Sequence, residues 1–327
     1  MIKINILKNN KKEWLVLVNL HAGSQRGERD WPEIKKLLEK AGFDMHIVFT
    51  EYRNHALIMA KDLIEKEGFK KIIVVGGDGT FNEVINSVFK QNRFRTMEIK
   101  VGLVTVGIGN DWGRMYEIPE SYEEQVEILK NEQFILQDIG VVKYEEARKE
   151  DNRYFANIAG MGYDALVAKK TNVMKQKGKG GAIVYLLNLI SGLFQYKNTL
   201  LEIEADGKKI FSGKIFSMSI GICKYNGAGM MQLPYAVPDD GLFDVTVIRK
   251  ISKYRIIKNI KNLYDGSFIN MREVETFRGK KFTVISTPAH KLYLETDGES
   301  LGHSPLNFEV IPRAAKLIVR AKYAISD

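Results

Sequence analysis

Residues 14–19, 45–49, 72–75 and 99–106 are short apolar runs, each suited to a buried strand, and between them residues 31–40 and 56–66 carry apolar side chains three and four apart. That spacing gives a helix one apolar face, and Gly42 and Gly68 follow as stops. Strands and helices alternating at this pitch predict βαβ units and a parallel sheet covered on both faces. Residues 121–130 predict one more helix. From about residue 135 the period shortens to two, over 139–142, 154–158, 200–204, 210–222, 243–248, 281–285, 292–296 and 306–310, with helical interruptions near 165–170, 183–194 and 256–264. Many short strands with long connections predict an antiparallel layer of β-sandwich type stacked on the first unit. The boundary falls near residue 135, giving units of 1–135 and 136–327, and no internal repeat or Pro- or Ser-rich linker intervenes.

Three of the predicted strands run into small-residue loops: 22–27, 76–80 and 107–111. In a parallel α/β sheet ligands bind beyond the carboxyl ends of the strands, so these loops are expected to converge on one site. The middle loop, Gly76-Gly77-Asp78-Gly79-Thr80, has three glycines in four positions, which let a bulky anion approach the backbone N–H groups. Thr80 is placed to cap a helix beginning at Phe81, whose positive end then faces the loop. A plain strand-to-helix turn needs only one glycine. Neither Gly77 nor Gly107 begins a dinucleotide fingerprint, because Asn82 and Trp112 stand where its third glycine belongs, and no Gly-Lys pair is followed by Ser or Thr as a P-loop requires.

Composition narrows the setting. The formal net charge of the 327 residues is +9, with a dense cluster at Lys169, Lys170, Lys175, Lys177 and Lys179, so a polyanion or anionic membrane is an expected partner, and a solvated loop the alternative. One cysteine, Cys223, permits no internal disulfide and fits a reducing compartment; the five histidines show no zinc-type spacing, so any metal is expected to be oxygen-bound. Met1 opens no signal peptide, and the apolar stretch 182–194 is too short and too interrupted to span a bilayer. Residues 185–194 read as a core helix or as an apolar lip for an acyl chain.

Four ordered segments, Asn19 with Gly23, then Gly77-Asp78-Gly79-Thr80 with Asn82-Glu83, then Gly107-Ile108-Gly109-Asn110-Asp111, and late in the chain Asp297-Gly298-Glu299, resemble the diacylglycerol kinase catalytic-domain family, which groups soluble bacterial lipid kinases with sphingosine and ceramide kinases and is distantly similar to NAD kinases. Asp138-Ile139-Gly140, the stretch 155–162 and the stretch 238–245 also resemble its pattern. The resemblance implies an α/β plus mainly β fold: an N-terminal parallel-sheet, Rossmann-like nucleotide domain like that of NAD kinases and lipid kinases, and a C-terminal β-sandwich domain for the lipid, with the extreme C-terminus returning to the first domain. It implies ATP and Mg²⁺ as cofactors and γ-phosphate transfer to the hydroxyl of diacylglycerol or a similar lipid alcohol. Asn19, Gly23, Gly77, Asp78, Gly79, Thr80, Asn82, Glu83, Gly107, Gly109, Asn110 and Asp111 would bind the nucleotide. Asp297, with Glu299, would be catalytic, Asp297 as the general base; its other reading is an Asp-Gly hairpin turn. Asp240, with main-chain oxygens at Val237 and Leu242, would hold a structural Mg²⁺, or else forms a turn.

The family implies a cytoplasmic protein that associates transiently with the inner membrane face and takes no nucleic acid; an edge strand in the β half would allow a homodimer. Two positions depart from the family pattern: Leu20 follows Asn19 where proline is usual, and Ile108 replaces threonine. No carboxylate or glycine is lost. The rival readings are an NAD kinase-like enzyme, which shares the glycine turn, and a non-catalytic nucleotide-binding regulator.

Overall fold

The computed structural model describes residues 13–147, 149–176, 191–193 and 196–325. Most of the segment 185–194, and Lys177 and Lys179 of the lysine cluster, therefore lie outside the described residues.

The chain begins with β1 (Trp14–Val18), α1 (Ala22–Lys40), β2 (Met45–Phe49), α2 (His55–Glu67), β3 (Lys71–Gly76), α3 (Asp78–Lys90), β4 (Lys100–Thr105), α4 (Asp111–Met115) and α5 (Tyr122–Asn131). Strands β2, β1, β3 and β4 pair side by side in parallel. Alternate residues of β1 point to opposite faces: Leu15 and Leu17 join Ala60, Ile64, Phe81 and Ile85 of α2 and α3, while Val16 and Val18 join Trp31, Ile34 and Leu38 of α1. Gly68, at φ 74°, ends α2 by donating its N–H to Ile64 O and Leu63 O, and Ser121 caps α5 by accepting the Glu124 N–H.

The rest is β5 (Phe134–Glu146), β6 (Lys149–Phe155), β7 (Ile158–Gly162), α6 (Tyr163–Gln176), β8 (Thr199–Ala205), β9 (Lys208–Gly221), a two-strand ribbon of β10 (Tyr225–Asn226) and β11 (Met230–Met231), β12 (Phe243–Arg249), β13 (Val274–Gly279), β14 (Lys281–Thr287), β15 (Tyr293–Thr296) and the twenty-residue β16 (Glu299–Ile318). Six of these close on themselves: β9 pairs β7, β7 pairs β15, β15 pairs β16, β16 pairs β14, β14 pairs β8 and β8 returns to β9, every pair antiparallel. Inward positions alternate as the pleat demands, with Leu201, Ile203, Phe282, Val284, Leu294 and Leu306 buried in one core.

The expected fold class is corrected accordingly. In place of a Rossmann-like parallel sheet stacked on a β-sandwich, the centre of the molecule is a closed six-stranded antiparallel barrel. The four parallel strands are not a sheet of their own; they extend one fourteen-stranded sheet through β16, whose Lys316 and Leu317 pair with Lys100 and Val101 of β4. Period-two patterning reports that one face of a strand is buried, and a sandwich and a barrel satisfy it equally. What selects closure is the length of β9 and β16, each of which serves several partners, together with register shifts near Ile203, Tyr293 and His303 that bend the strands.

Candidate active site

The turn after β3 is tighter than the sequence suggested. Helix α3 starts at Asp78 with extended Gly77 as its N-cap, so Thr80 lies in the first turn; its Oγ1 accepts the Asn19 Nδ2–H at 2.9 Å, tying the β1 loop to the β3 loop. Gly23 takes φ 63°, and a Cβ there would lie 2.0 Å from Val106 O, so only glycine lets the loops nest this closely. At Gly77 a Cβ would stand 3.1 Å from Gly107 Cα, which brings the third loop against the second. The loops after β1, β3 and β4 therefore meet at the N-terminus of α3, a thirteen-residue helix whose first N–H groups have no intrahelical partner.

Carboxylates crowd this point. Asp78 Oδ1 accepts the Trp112 N–H at 3.1 Å, and a Cβ on Gly109 would lie 3.2 Å from Asp78 Oδ2 and 3.3 Å from Asp111 Oδ2. Asp111 accepts N–H groups from Ala228 (2.9 Å) and Gly229 (2.7 Å); burial and the nearby Asp78 push it up to about 7. Asn110, at φ 48°, donates to Gly107 O and leaves its Oδ1 buried without a partner. Two carboxylates flanking one glycine, with Asp78 raising the cost of ionising Asp111, suit an oxygen-bound divalent cation. Mg²⁺ fits there.

It does not fit at Asp240. That carboxylate is held by the Arg278 guanidinium, which also donates from Nε to Asp244 Oδ2 at 3.2 Å, and Asp240 Oδ1 accepts the Leu242 N–H. Val237 is exposed, and Gly241, at φ 76°, makes the segment a turn fastened by its N–H to Asp138 Oδ2. A cation bound through Asp240 would have to displace the Arg278 guanidinium from it.

Asp297 and Gly298, both at positive φ, form the two-residue turn between β15 and β16, with Thr296 opposite Glu299. The hairpin turn is present, and it is driven against α3, where Asp297 meets Asn82. Asp297 Oδ2 accepts from Asn82 Nδ2 (2.7 Å) and the Ala156 N–H (3.0 Å), and Oδ1 from the N–H groups of Asn157 (3.1 Å) and Ile158 (3.2 Å). Burial is the main cause that lifts this carboxyl to about 6, against the pull of those donors and with the push of Asp78. Glu299 pairs with Arg53 at 2.9 Å, and its Oε1 lies 3.2 Å from where a Cβ of Gly79 would be. Glu83 turns away: its oxygens accept the N–H groups of Asn54 and Ala56 at the start of α2.

Other members were not singled out in the sequence. Arg153, buried in β6, donates Nε to Asn82 Oδ1 and so holds the amide that holds Asp297. Glu295 accepts from Asn226 Nδ2 and from the Gly298 N–H, both at 2.9 Å, and burial raises it to about 8. Asp164 accepts from Ser217 Oγ at 2.7 Å, and burial raises it to about 6. A Cβ on Gly160 would touch both Glu295 and Asp164, so the two carboxyls are near neighbours. Alternation gave no signal for Glu295: next to the inward Leu294 it reads as an outward polar position, and it is buried on that face against Gly160 and Asn226. Beside Asp164 opens a cavity of about 190 Å³ walled by Leu193, Phe216, Met230, Ile256, Ile260 and Phe268, with Ser217, Ser219 and Gln232 at its polar end.

This chain matches two family models in tandem: "Diacylglycerol kinase catalytic domain" over residues 13–142 and "YegS C-terminal NAD kinase beta sandwich-like domain" over residues 157–319. It is 28% identical over 298 residues to a diacylglycerol kinase of Staphylococcus carnosus (strain TM300), covering 91% of this chain and 92% of that protein. It is 29% identical over 300 residues to one of Staphylococcus aureus (strain bovine RF122 / ET3-1), covering 91% and 89%. In fold it is similar to a crystal structure of a diacylglycerol kinase from Bacillus anthracis str. Sterne, with a TM-score of 0.68 at 20% identity over 96% of this chain and 98% of that one. With the two models spanning both the glycine loops and the Asp297 turn, the chain belongs to the diacylglycerol kinase catalytic-domain family.

Proposed function

We propose that the protein is an ATP-dependent lipid kinase that transfers the γ-phosphate to the hydroxyl of diacylglycerol or a similar lipid alcohol. The observation that carries this reading is the apolar cavity whose polar end, Asp164, adjoins Glu295, the residue that fastens the turn of Asp297. An acyl-bearing alcohol lying in that cavity directs its hydroxyl toward the same turn that meets the glycine loop. The backbone N–H groups of residues 77–80 and the α3 N-terminus bind the donor phosphates, with Asn19, Gly23 and the 107–111 loop closing the pocket. Asp78 and Asp111 would hold Mg²⁺, which would supply positive charge to offset that of the phosphate oxygens.

Asp297 acts as general base. A carboxyl at about 6 is ionised at neutral pH and close enough to neutrality to take a proton. Four N–H groups cover its oxygens, so the substrate hydroxyl takes the place of one of them. Asn82 Nδ2 is the one side-chain donor of the four; the other three are backbone N–H groups. Glu299, oriented by Arg53 beside Gly79, orders the phosphate side of the site.

Access from a membrane is supported by the cavity mouth, where the helix Lys253–Lys258 presents Tyr254 (73% exposed) and Ile257 (55% exposed) among Lys250, Lys258 and Lys261. No helix among the described residues is long and apolar enough to cross a membrane. Incubation with radiolabelled ATP, Mg²⁺, a panel of lipid alcohols and NAD tests the reading: a phosphorylated lipid is expected, and NADP or no product would overturn it.

A further inference from the structure

Far from the glycine loops in sequence, three side chains from separate segments converge at the opposite end of the β15–β16 hairpin from Asp297. Glu145 lies at the end of β5, His303 sits across from it on β16, and His290 comes from the β14–β15 connection. His290 Nδ1 lies 3.2 Å from His303 Nδ1 and 3.3 Å from Glu145 Oε2. The imidazole planes cross at 67°, so the rings approach through their nitrogens and are not stacked. Among the described residues this is the group of three His, Cys, Asp or Glu side chains whose ligand atoms all fall within 4.8 Å of one another.

Protons alone serve this arrangement poorly. The Ser304 carbonyl is also 2.9 Å from His303 Nδ1, so without an ion a proton on that nitrogen is donated there, and an ion binding at Nδ1 would displace that proton. His290 Nδ1 then either turns its lone pair toward the Glu145 carboxylate or turns a second N–H toward that of His303. An ion accepting both nitrogen lone pairs and one carboxylate oxygen removes the conflict. A tetrahedral ion with bonds of about 2.0–2.1 Å separates its ligands by about 3.3–3.4 Å, close to the 3.2 and 3.3 Å edges at His290, while the His303–Glu145 edge lies within 4.8 Å. Two imidazoles and a carboxylate select the zinc class of divalent ions over Mg²⁺, which takes oxygen ligands.

We infer that Glu145, His290 and His303 form a binding site for Zn²⁺ or a similar transition-metal ion, with a fourth position open to solvent. The ion would clasp β5, β16 and the β14–β15 connection at the base of the hairpin whose tip is Asp297. It is separate from the Asp78–Asp111 pair and does not depend on the kinase reading.

The test uses full-length protein stripped with a chelator and returned to excess Mg²⁺, then titrated with Co²⁺. Strong visible d–d bands of four-coordinate cobalt at one equivalent, displaced by Zn²⁺, are expected. His303→Ala and His290→Asn should abolish them; asparagine tolerates the left-handed φ of 63° at position 290, so that variant keeps the loop conformation. Glu145→Gln should weaken Zn²⁺ binding by roughly 10- to 100-fold. Zn²⁺ should raise the melting temperature of the unaltered protein and leave that of the variants unmoved. Only the weak bands of octahedral cobalt, or strong bands that survive in both histidine variants, would overturn the site.

Discussion

Asn82 Nδ2 donates to Asp297 Oδ2 at 2.7 Å, joining two residues 215 positions apart in the chain. Asn82 stands one turn into the helix that opens from the glycine loop, and Asp297 is the tip of a barrel hairpin. The amide also accepts from Arg153 Nε and donates to Tyr154 O, so it is a fully used polar group in a buried place.

Asn82→Ala leaves a buried carboxylate and a buried guanidinium each short of a partner. Unsatisfied buried groups cost about 1–3 kcal/mol, more when charged, so a loss of at least about 2 kcal/mol is expected in urea unfolding. Lipid phosphorylation should fall as well, because the hairpin tip loses its tie to α3. A variant with unchanged stability would show that the Asn82 bond is dispensable.

Asp297→Asn tests the base. The amide matches the carboxyl in shape but cannot accept a proton, and positioned proton transfer contributes about 10²- to 10⁴-fold to rate. A drop in kcat of that size is expected, with ATP affinity, measured by calorimetry, within about twofold of the unaltered protein. Turnover that survives would transfer the role to another group.

The buried carboxyls fix the direction of the pH response. Glu295 is raised from 4.5 to about 8, Asp297 from 3.8 to about 6 and Asp164 from 3.8 to about 6, all chiefly by burial. Across this window the folded chain holds more protons than the unfolded one, so stability is highest at the acid end. It falls as pH rises from about 4.5 to 8, then levels once Glu295 is ionised in both states. Asp30, lowered to about 2 with Arg29 as its first cause, titrates below this window and does not oppose it. Melting temperature should therefore decline between pH 6 and about 8, and Glu295→Gln, which cannot ionise, should flatten that stretch. A melting curve that rises with pH there would sink the assignment.

Local chemistry was legible in the sequence where it depends on neighbours in the chain. The strand, glycine turn and helix around residues 72–89 follow from periodicity and from three glycines, and the Asp297-Gly298 turn from its dipeptide. What sequence could not supply was partnership across the sheet. Residues 154–158 read as one strand, yet the chain breaks after Phe155 so that the N–H groups of Ala156, Asn157 and Ile158 can bind Asp297. Asp240 looked like a ligand until Arg278 arrived from β13, and Glu83 like part of the phosphate loop until α2 claimed it. Barrel closure was hidden for the same reason, since alternation records burial and says nothing of which strand lies alongside.

The helix Lys253–Lys258 carries the last prediction. Ile257 lines the cavity and is also 55% exposed, so it spans the inside of the pocket and its rim, and Tyr254 stands beside it, more exposed still. An apolar rim set among lysines lies in the interface of an anionic bilayer, the aromatic and aliphatic side chains at the acyl boundary and the ammonium groups at the phosphates. Each basic residue near such a surface contributes about 1 kcal/mol, or about fivefold in partitioning. Lys258→Glu should therefore lower cosedimentation with vesicles containing anionic lipid by at least about fivefold and leave binding to neutral vesicles unchanged. Ile257→Asp should weaken both, because it places a charge where hydrocarbon would be buried. If the helix is the entry face, both variants raise KM for a long-chain diacylglycerol presented in vesicles. Lys258→Glu should leave kcat for a short-chain soluble diacylglycerol intact, since that substrate reaches the Asp297 turn without the membrane. Equal loss on both substrates would mean the helix serves the catalytic site and not the surface.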